Sequence, residues 1–507
     1  MQISNFKKEV GNTVTAKGWV ANVREGKGIK FLLLRDGSGF AQCVIDEQVV
    51  GKEQFVEADK ITQESSVEFI GKVIKDEKQV GGYELAVSSL KLIHVSEAYP
   101  ISNKAHGTEF LMDNRHLWLR SRRQWSIMKV RNAIIYAIHN FFQGEGFVQM
   151  DAPIFTGNAC EGTTNLFETD FYDNPAFLTQ SGQLYGEAMA FAMGKIYTFG
   201  PTFRAEKSKT RRHLSEFWMI EPEVAFADLN DNLNLIEAFL KSVVKEVLEK
   251  CRPELENIER DITILENLAF KPFPRMTYDQ AVRIIKGEEA VNGKTTIETL
   301  EADLAEVKSK ISEINDEIAA KELELSSNTG MKKGARNFMQ NRVDTLKNEL
   351  SALEIKVKNI PQWLESCRNF EYGNDFGGAD ETALTRLFDL PIMVYNWPHE
   401  VKAFYMKRDE NDSRFAKGVD VLAPEGYGEI VGGGERETNK EWLIEKIHEH
   451  KLPMDAFEWY LDLRRFGSVP HSGFGLGLER LVAWICKLEH IRETIPFPRM
   501  YPNRLLP

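Results

Sequence analysis

Phe203-Arg204-Ala205-Glu206 opens a basic stretch that runs through Lys207, Lys209, Arg211 and Arg212 to His213, and Glu216-Phe217 closes it. The apolar runs 196–204 and 217–225 on either side read as strands, so the stretch is the loop between them. Far downstream stands a second short motif, Gly475-Leu476-Gly477-Leu478-Glu479-Arg480. Each is modest alone. Together they offer a carboxylate and an aromatic ring for a nucleobase, and arginines for a polyphosphate. The planar guanidinium fork suits bidentate phosphate recognition. A basic loop is often simply solvated, but this one is held between strands with Glu216 and Phe217 just beyond it. Neither G-x-x-x-x-G-K-[ST] nor a G-x-G-x-x-G after a strand occurs in the chain, so phosphate is left to side chains. The pair reads as an ATP site without a P-loop.

Outward from this pair the pattern is α+β. A helix is expected over 127–145 with its stop at Gly146, then a strand over 147–150 and Pro153. Strands are expected over 178–185, 196–204 and 217–225, with a helix from about Gly186. Regular βαβ alternation is missing, so an antiparallel sheet with intervening helices is expected rather than a doubly wound one. The first 95 residues read instead as five short strands with glycine-rich turns, a small barrel of the OB-fold kind. Such barrels hold unstacked bases by aromatic stacking and edge hydrogen bonds, which makes Phe31 and Gln42 candidates. The plain alternative puts Phe31 in the core and leaves Gln42 a solvated strand residue. Residues 96–125 read as a connector broken by Pro100, Asn103 and Gly107, with a helix starting at Arg115. The expected organisation is a barrel over 1–98, a hinge over 99–125 and a core domain over 126–507.

One segment of that core stands apart. Ile297, Leu300, Leu304, Val307, Ile311, Ile314 and Ile318 recur at spacings of three and four, and Met339, Val343, Leu346, Leu350, Leu353, Val357 and Ile360 do the same. Two narrow heptad seams flanked by Glu and Lys, joined by a polar glycine-containing stretch, predict an antiparallel helical hairpin inserted over 288–365. Its arms would reach roughly 40 Å at the helical rise per residue. The tip, 326–337, carries Lys332, Lys333 and Arg336 and no acid. It reads either as an RNA contact or as a solvated loop.

Composition sets the outer limits. A chain of 507 residues with 42% hydrophobic residues is long enough for two or more packed domains. The formal net charge of −12 disfavours a general polyanion binder, though not a local basic groove. Cysteines 43, 160, 251, 367 and 486 form no C-x-x-C pair, which argues against a zinc site or a disulfide framework and fits a reducing cytoplasm. The first residues lack a signal-peptide apolar stretch, and no run of 18 apolar residues follows, so no membrane association is expected.

The motifs carry a resemblance. The 203–217 segment is similar to motif 2 of class II aminoacyl-tRNA synthetases, Gly475–Arg480 to motif 3, and the helix, strand and Pro153 before them to motif 1, the dimer-forming element. Barrel, hinge and core together resemble the aspartyl, asparaginyl and lysyl subclass over nearly the whole chain except the hairpin. Within it, Ser181-Gly182-Gln183-Leu184, Trp459-Tyr460-Leu461-Asp462-Leu463-Arg464-Arg465 and Gly467-Ser468-Val469-Pro470-His471-Ser472-Gly473 resemble the asparaginyl family. Aspartyl relatives place a proline at Gly182 and a lysine at Gly186, and this chain has neither.

The resemblance implies activation of asparagine by ATP and transfer to tRNA(Asn), in a homodimer using magnesium. Carried over, Arg204 holds the α-phosphate and the amino acid carboxylate, Glu206 accepts from the adenine amino group, and Phe217 stacks on the ring. His213 and Arg480 serve the γ-phosphate end, Arg480 also covering adenine, and Arg212 belongs to the same ATP site. Glu429, in Gly428-Glu429-Ile430-Val431-Gly432-Gly433-Gly434, resembles the magnesium ligand; many relatives have serine where this chain has Gly432 or Gly434. Arg204, Arg480 and Glu429 thus form the catalytic set. For the substrate carboxamide the resemblance implies Glu187 with Arg465, and Arg464 as the second choice of cation. Glu161 and Gln183 receive the α-ammonium. Without the resemblance, Glu187 reads as an exposed helix residue. Arg24, Phe31 and Gln42 resemble anticodon contacts. Competing readings are an aspartyl enzyme of relaxed specificity and an inactive paralogue that binds RNA or regulates.

Overall fold

A computed structural model describes residues 1–102, 106–157, 166–328, 330–502 and 505. The chain divides into two compact units, residues 1–121 and 122–506. The first is built on β1 (Thr13–Gly26), β2 (Ile29–Arg35), β3 (Phe40–Asp46), β4 (Ser66–Lys75) and β5 (Tyr83–His94), which close into a barrel in the order β1-β2-β3-β5-β4. Alternation sets its inside: Leu32, Leu34, Cys43, Ile45, Val67, Phe69 and Leu85 are fully buried in one cluster. A helix, Glu47–Ala58, joins β3 to β4, and Asp46 caps it by accepting from the Gln48 N–H.

The second unit is organised by one sheet of eight strands. These are β6 (Val148–Gln149), β10 (Lys195–Phe203), β11 (Glu216–Ala225), β12 (Arg275–Thr277), β13 (Ile392–Pro398), β14 (Phe415–Ala423), β15 (Gly428–Glu435) and β16 (His471–Gly477). Their order is β12-β13-β14-β15-β16-β11-β10-β6. The pairs from β13 to β10 are antiparallel, and only the outer pairs β12–β13 and β10–β6 are parallel. A smaller sheet pairs β7 (Phe155–Thr156), β9 (Asn174–Leu178) and β8 (Glu168–Phe171). The helices Arg122–Gly144 and Leu229–Asn257 bury their apolar stripes against the large sheet in one core with Ile220, Phe474 and Leu476.

The expected strand over 178–185 is corrected. β9 ends at Leu178, and a helix, Gln183–Met193, has begun before Gly186. The cause is local and polar. Thr179 Oγ1 donates to the Ser181 carbonyl, the Gly182 N–H donates to Glu221 Oε2 at 2.8 Å, and the Ser181 hydroxyl is also bound to Glu221. These bonds turn the chain where the apolar spacing alone suggested a straight run.

The hairpin is two helices, Thr296–Ser327 and Lys333–Asn369. Thr295 and Glu298 form a capping box at the first. Ile314, Ile318, Val343, Leu346 and Leu353 make a separate distal core. The roots behave differently: Leu300, Ile360, Leu364 and Cys367 lie in the cluster that holds Tyr278, Leu422 and Trp397 of the sheet unit. The second helix therefore continues past 365 into the body of the domain.

Candidate active site

Strand β11 sorts its side chains by the period of two. Ile220 enters the helix-covered core, with Trp218 and Val224 packed against it. The odd positions face the other way: Phe217 and Met219 line a cleft, and Glu221 and Glu223 continue the row. On β16 the residues at 475 and 477 are glycines and form part of the same cleft. Side chains are absent where a flat ligand needs room.

That cleft has a volume of about 410 Å³, within the usual range for small-molecule sites. Arg204, Glu206, Arg212, His213, Phe217, Glu429 and Arg480, seven residues drawn from three distant segments, all line it. The Arg204 guanidinium carbon lies 5.5 Å from the centre of the Phe217 ring. Arg480 Nη1 donates to the Glu429 carbonyl at 2.8 Å and approaches its carboxylate at 3.3 Å. Burial works to raise Glu429, but Arg480, Lys402 and Arg204 outweigh it and hold the carboxyl below its ordinary range. His213 is held below the ordinary histidine range by burial and by Arg480, Arg204 and Arg212; its Nδ1 is hydrogen-bonded to the Thr210 hydroxyl. Arg212 is tied to Glu381 at 2.9 Å, to the Thr382 hydroxyl at 3.3 Å and to the Gly426 carbonyl at 2.5 Å.

A second, polar cluster lies buried under the helix Gln183–Met193. Spacing of four puts Gln183 and Glu187 on its inner face. Glu187 is completely buried and accepts three hydrogen bonds: Tyr460 Oη at 2.7 Å on Oε1, and Arg464 Nη2 at 2.8 Å and His471 Nε2 at 2.9 Å on Oε2. The plain reading of Glu187 as an exposed residue is overturned. Arg436 stands beside it, fully buried, holding Glu223 with two bonds of 3.0 Å; the amide oxygen of Gln183 accepts from Arg436 Nη1 at 3.1 Å.

The expected cation is corrected here. Arg464, not Arg465, meets Glu187: the Arg464 side chain is 0% exposed, whereas that of Arg465 is 38% exposed and pairs with Glu458 and Asp462. The helix Glu458–Arg465 explains it, because Tyr460 and Arg464 share its inner face while 458, 462 and 465 share the outer one.

Comparison with known proteins decides the family. The description "tRNA synthetases class II (D, K and N)" matches residues 107–501, and "OB-fold nucleic acid binding domain" matches 14–93. An asparagine--tRNA ligase of Sorangium cellulosum is 49% identical over 99% of this chain and 98% of its own, and one from Koribacter versatilis is 46% identical over 98% and 97%. The crystal structure of asparaginyl-tRNA synthetase from Pyrococcus horikoshii complexed with asparaginyl-adenylate superposes with a TM-score of 0.79 at 36% identity, covering 98% of this chain and 97% of that one. The chain belongs to the asparagine--tRNA ligase family of class II synthetases.

In this asparagine--tRNA ligase family member, two site residues had no warning in the motifs. Asp420 on β14 is buried and bound to Lys402 Nζ at 2.5 Å. Burial and Glu429 push its carboxyl up, to about 7 against the pull of Lys402. A Cβ built on Gly432 would lie 2.8 Å from Glu429 Oε1 and 3.6 Å from Asp420 Oδ1, so the two acids converge on one point. A serine at Gly432 would crowd Glu429; one at Gly434 would meet the Lys417 carbonyl at 2.5 Å and Met406 Sδ at 2.8 Å. The converging carboxylates fit magnesium, which takes one or two acids and completes its shell from phosphates and water. The signal for Asp420 was an acid inside the apolar run Val419–Leu422. Arg436 was signalled only by its place one residue beyond β15.

Arg24 and Phe31 are register partners on β1 and β2, with the guanidinium 6.0 Å from the ring centre. Arg24 donates to Gln42 Oε1 at 2.9 Å, and Gln42 donates to Glu84 at 3.0 Å. Phe31 is half-buried and outside the barrel core, while Gln42 is buried, so the plain reading of both is reversed. Glu161 lies outside the described residues.

Proposed function

We propose that the protein activates L-asparagine with ATP to asparaginyl-adenylate and transfers the asparaginyl group to the 3′ end of tRNA(Asn), releasing AMP and pyrophosphate. The observation that carries the amino acid choice is the buried, ionised Glu187 with its ring of donors. An anionic acceptor binds the NH₂ of a carboxamide and repels the side chain of aspartate.

The mechanism follows from the groups in the cleft. The substrate carboxylate attacks the α-phosphorus and pyrophosphate leaves, so no protein nucleophile is needed. Arg204 positions the carboxylate and the α-phosphate, and Arg212, His213 and Arg480 take the far phosphates. Glu206 accepts from the adenine amino group between the Phe217 ring and the Arg480 guanidinium. Positioning and fixed charge lower the barrier. Glu429 and Asp420 would hold magnesium, which when bound would supply further positive charge to the phosphate oxygens. On this reading Arg436 receives the substrate's carboxamide oxygen and Gln183, with Glu161, its ammonium.

Arg24, Phe31 and Gln42 read anticodon bases, the enzyme works in the cytoplasm, and it pairs as a homodimer through the motif 1 segment. No described helix is long and apolar enough to cross a membrane. The test is ATP–pyrophosphate exchange with asparagine, aspartate and glutamine in turn. Asparagine is expected to stimulate exchange at least about a hundredfold more than either; equal stimulation by aspartate defeats the assignment.

A further inference from the structure

His471 carries a geometric constraint that the adenylation scheme does not use. It is fully buried on β16, with Phe191 edge-on to its ring at 4.8 Å. Its Nδ1 stands 2.8 Å from the Val469 carbonyl oxygen. A carbonyl only accepts, so Nδ1 carries a proton. Its Nε2 stands 2.9 Å from Glu187 Oε2. A bare imidazole lone pair facing a bare carboxylate oxygen at that distance is repulsive, so a second proton lies on this line. It belongs either to an imidazolium beside a carboxylate or to a neutral histidine beside a carboxylic acid.

The surroundings decide between them. Facing Glu187 are Arg464 and Tyr460 from the helix Glu458–Arg465, Arg436 at the end of β15 and Gln183 from its own helix; Glu223 of β11 lies behind Arg436. Burial raises the Glu187 carboxyl, yet Arg464, the bond from and charge of His471, and Arg436 together hold it well below the usual range. Arg464 Nη2 and His471 Nε2 both face Oε2, at 2.8 Å and 2.9 Å, and Arg464 is always charged, so Glu187 is the anion and acceptor and His471 the donor to it.

This state has a consequence for selectivity. An ionised Glu187 accepts only, and asks its ligand for an N–H. A protonated Glu187 donates, and would welcome the oxygen of a carboxylate. The charge on Glu187 is thus the difference between a site for asparagine and one that tolerates aspartate.

We propose that His471 is a specificity-determining positioning residue, which holds Glu187 in its acceptor-only form and orientation so that the pocket requires a carboxamide. The inference rests on the asparagine-activating reading and assigns His471 no contact with the reacting atoms.

The experiment compares wild type, H471N and H471Q in ATP–pyrophosphate exchange with asparagine and with aspartate from pH 6 to 8.5. Asparagine side chains reach about as far as Nδ1 and keep the Val469 bond while losing Glu187; glutamine reaches Nε2 and keeps the bond to Glu187 without the charge. H471N is expected to raise KM for asparagine by about tenfold and lower the asparagine-to-aspartate ratio of kcat/KM by about tenfold or more, with KM for ATP within about twofold. H471Q is expected to regain most of the asparagine KM, but its asparagine-to-aspartate ratio stays below that of wild type across this pH range. A folded H471N with a wild-type ratio overturns the proposal. If H471N does not fold, H471Q decides: a wild-type ratio across this pH range overturns it equally. Failure of wild type to use asparagine would instead strike the asparagine reading itself.

Discussion

Arg464 and Arg465 are neighbours in the chain and opposites in environment. Removing Arg464 leaves Glu187 buried with a lost partner, so Arg464→Ala is expected to cost about 3–5 kcal/mol in urea unfolding and to abolish asparagine-dependent exchange. Arg465→Ala, which releases two exposed acids, should leave asparagine KM within about twofold. Steady-state exchange of the two variants reads both outcomes. The pair also marks the limit of reading residues from sequence. The family resemblance named the acid, Glu187, which the residues alone left as an exposed helix position, and put the cation one position off, although the helical spacing of Tyr460, Leu461 and Arg464 was there to be used. Arg436 and Asp420 were not legible, because what defines them is a partner: Glu223 lies far upstream of Arg436, and Glu429 meets Asp420 across a strand turn.

The inserted hairpin behaves as two pieces. Its distal half has its own core around Ile314 and Leu346, and its roots share the core of Tyr278 and Trp397. Excising residues 311–349 and closing the gap with a short flexible linker should therefore leave exchange with asparagine within about threefold of the full chain, since loop closure over such a linker is inexpensive. Leu364→Ala, at the root, is expected to destabilise by about 2–5 kcal/mol through the cavity it leaves. Thermal melts of both variants in parallel with exchange distinguish a distal appendage from a support of the domain. The heptad seams made these helices legible, and the five barrel strands were legible from alternation. The turn at 179–182 was not, because its cause is the Glu221 carboxylate, a side chain from another strand.

At the scale of the molecule, the barrel and the synthetase unit are expected to fail separately. Phe31→Ala removes a stacking surface of about 1–3 kcal/mol per base, so KM for tRNA in aminoacylation should rise about tenfold while exchange, which needs no tRNA, is unchanged. A parallel loss of exchange would mean that the barrel patch serves the stability of the fold. Strand β11 ties the two substrates of the other unit together. Phe217 at one end faces the ATP cleft and Glu223 at the other braces Arg436. Six residue-to-residue steps of extended chain separate them, about 20 Å at the usual rise. The strand is thus a calliper whose jaws are set by peptide geometry and locked by the core on its reverse face. On the proposed reading glutamine, with the same carboxamide and one more methylene, is expected to be refused by length, its carboxylate overshooting the phosphate once its amide is seated. No blocking side chain is needed for that, and enlarging the pocket would not remedy it.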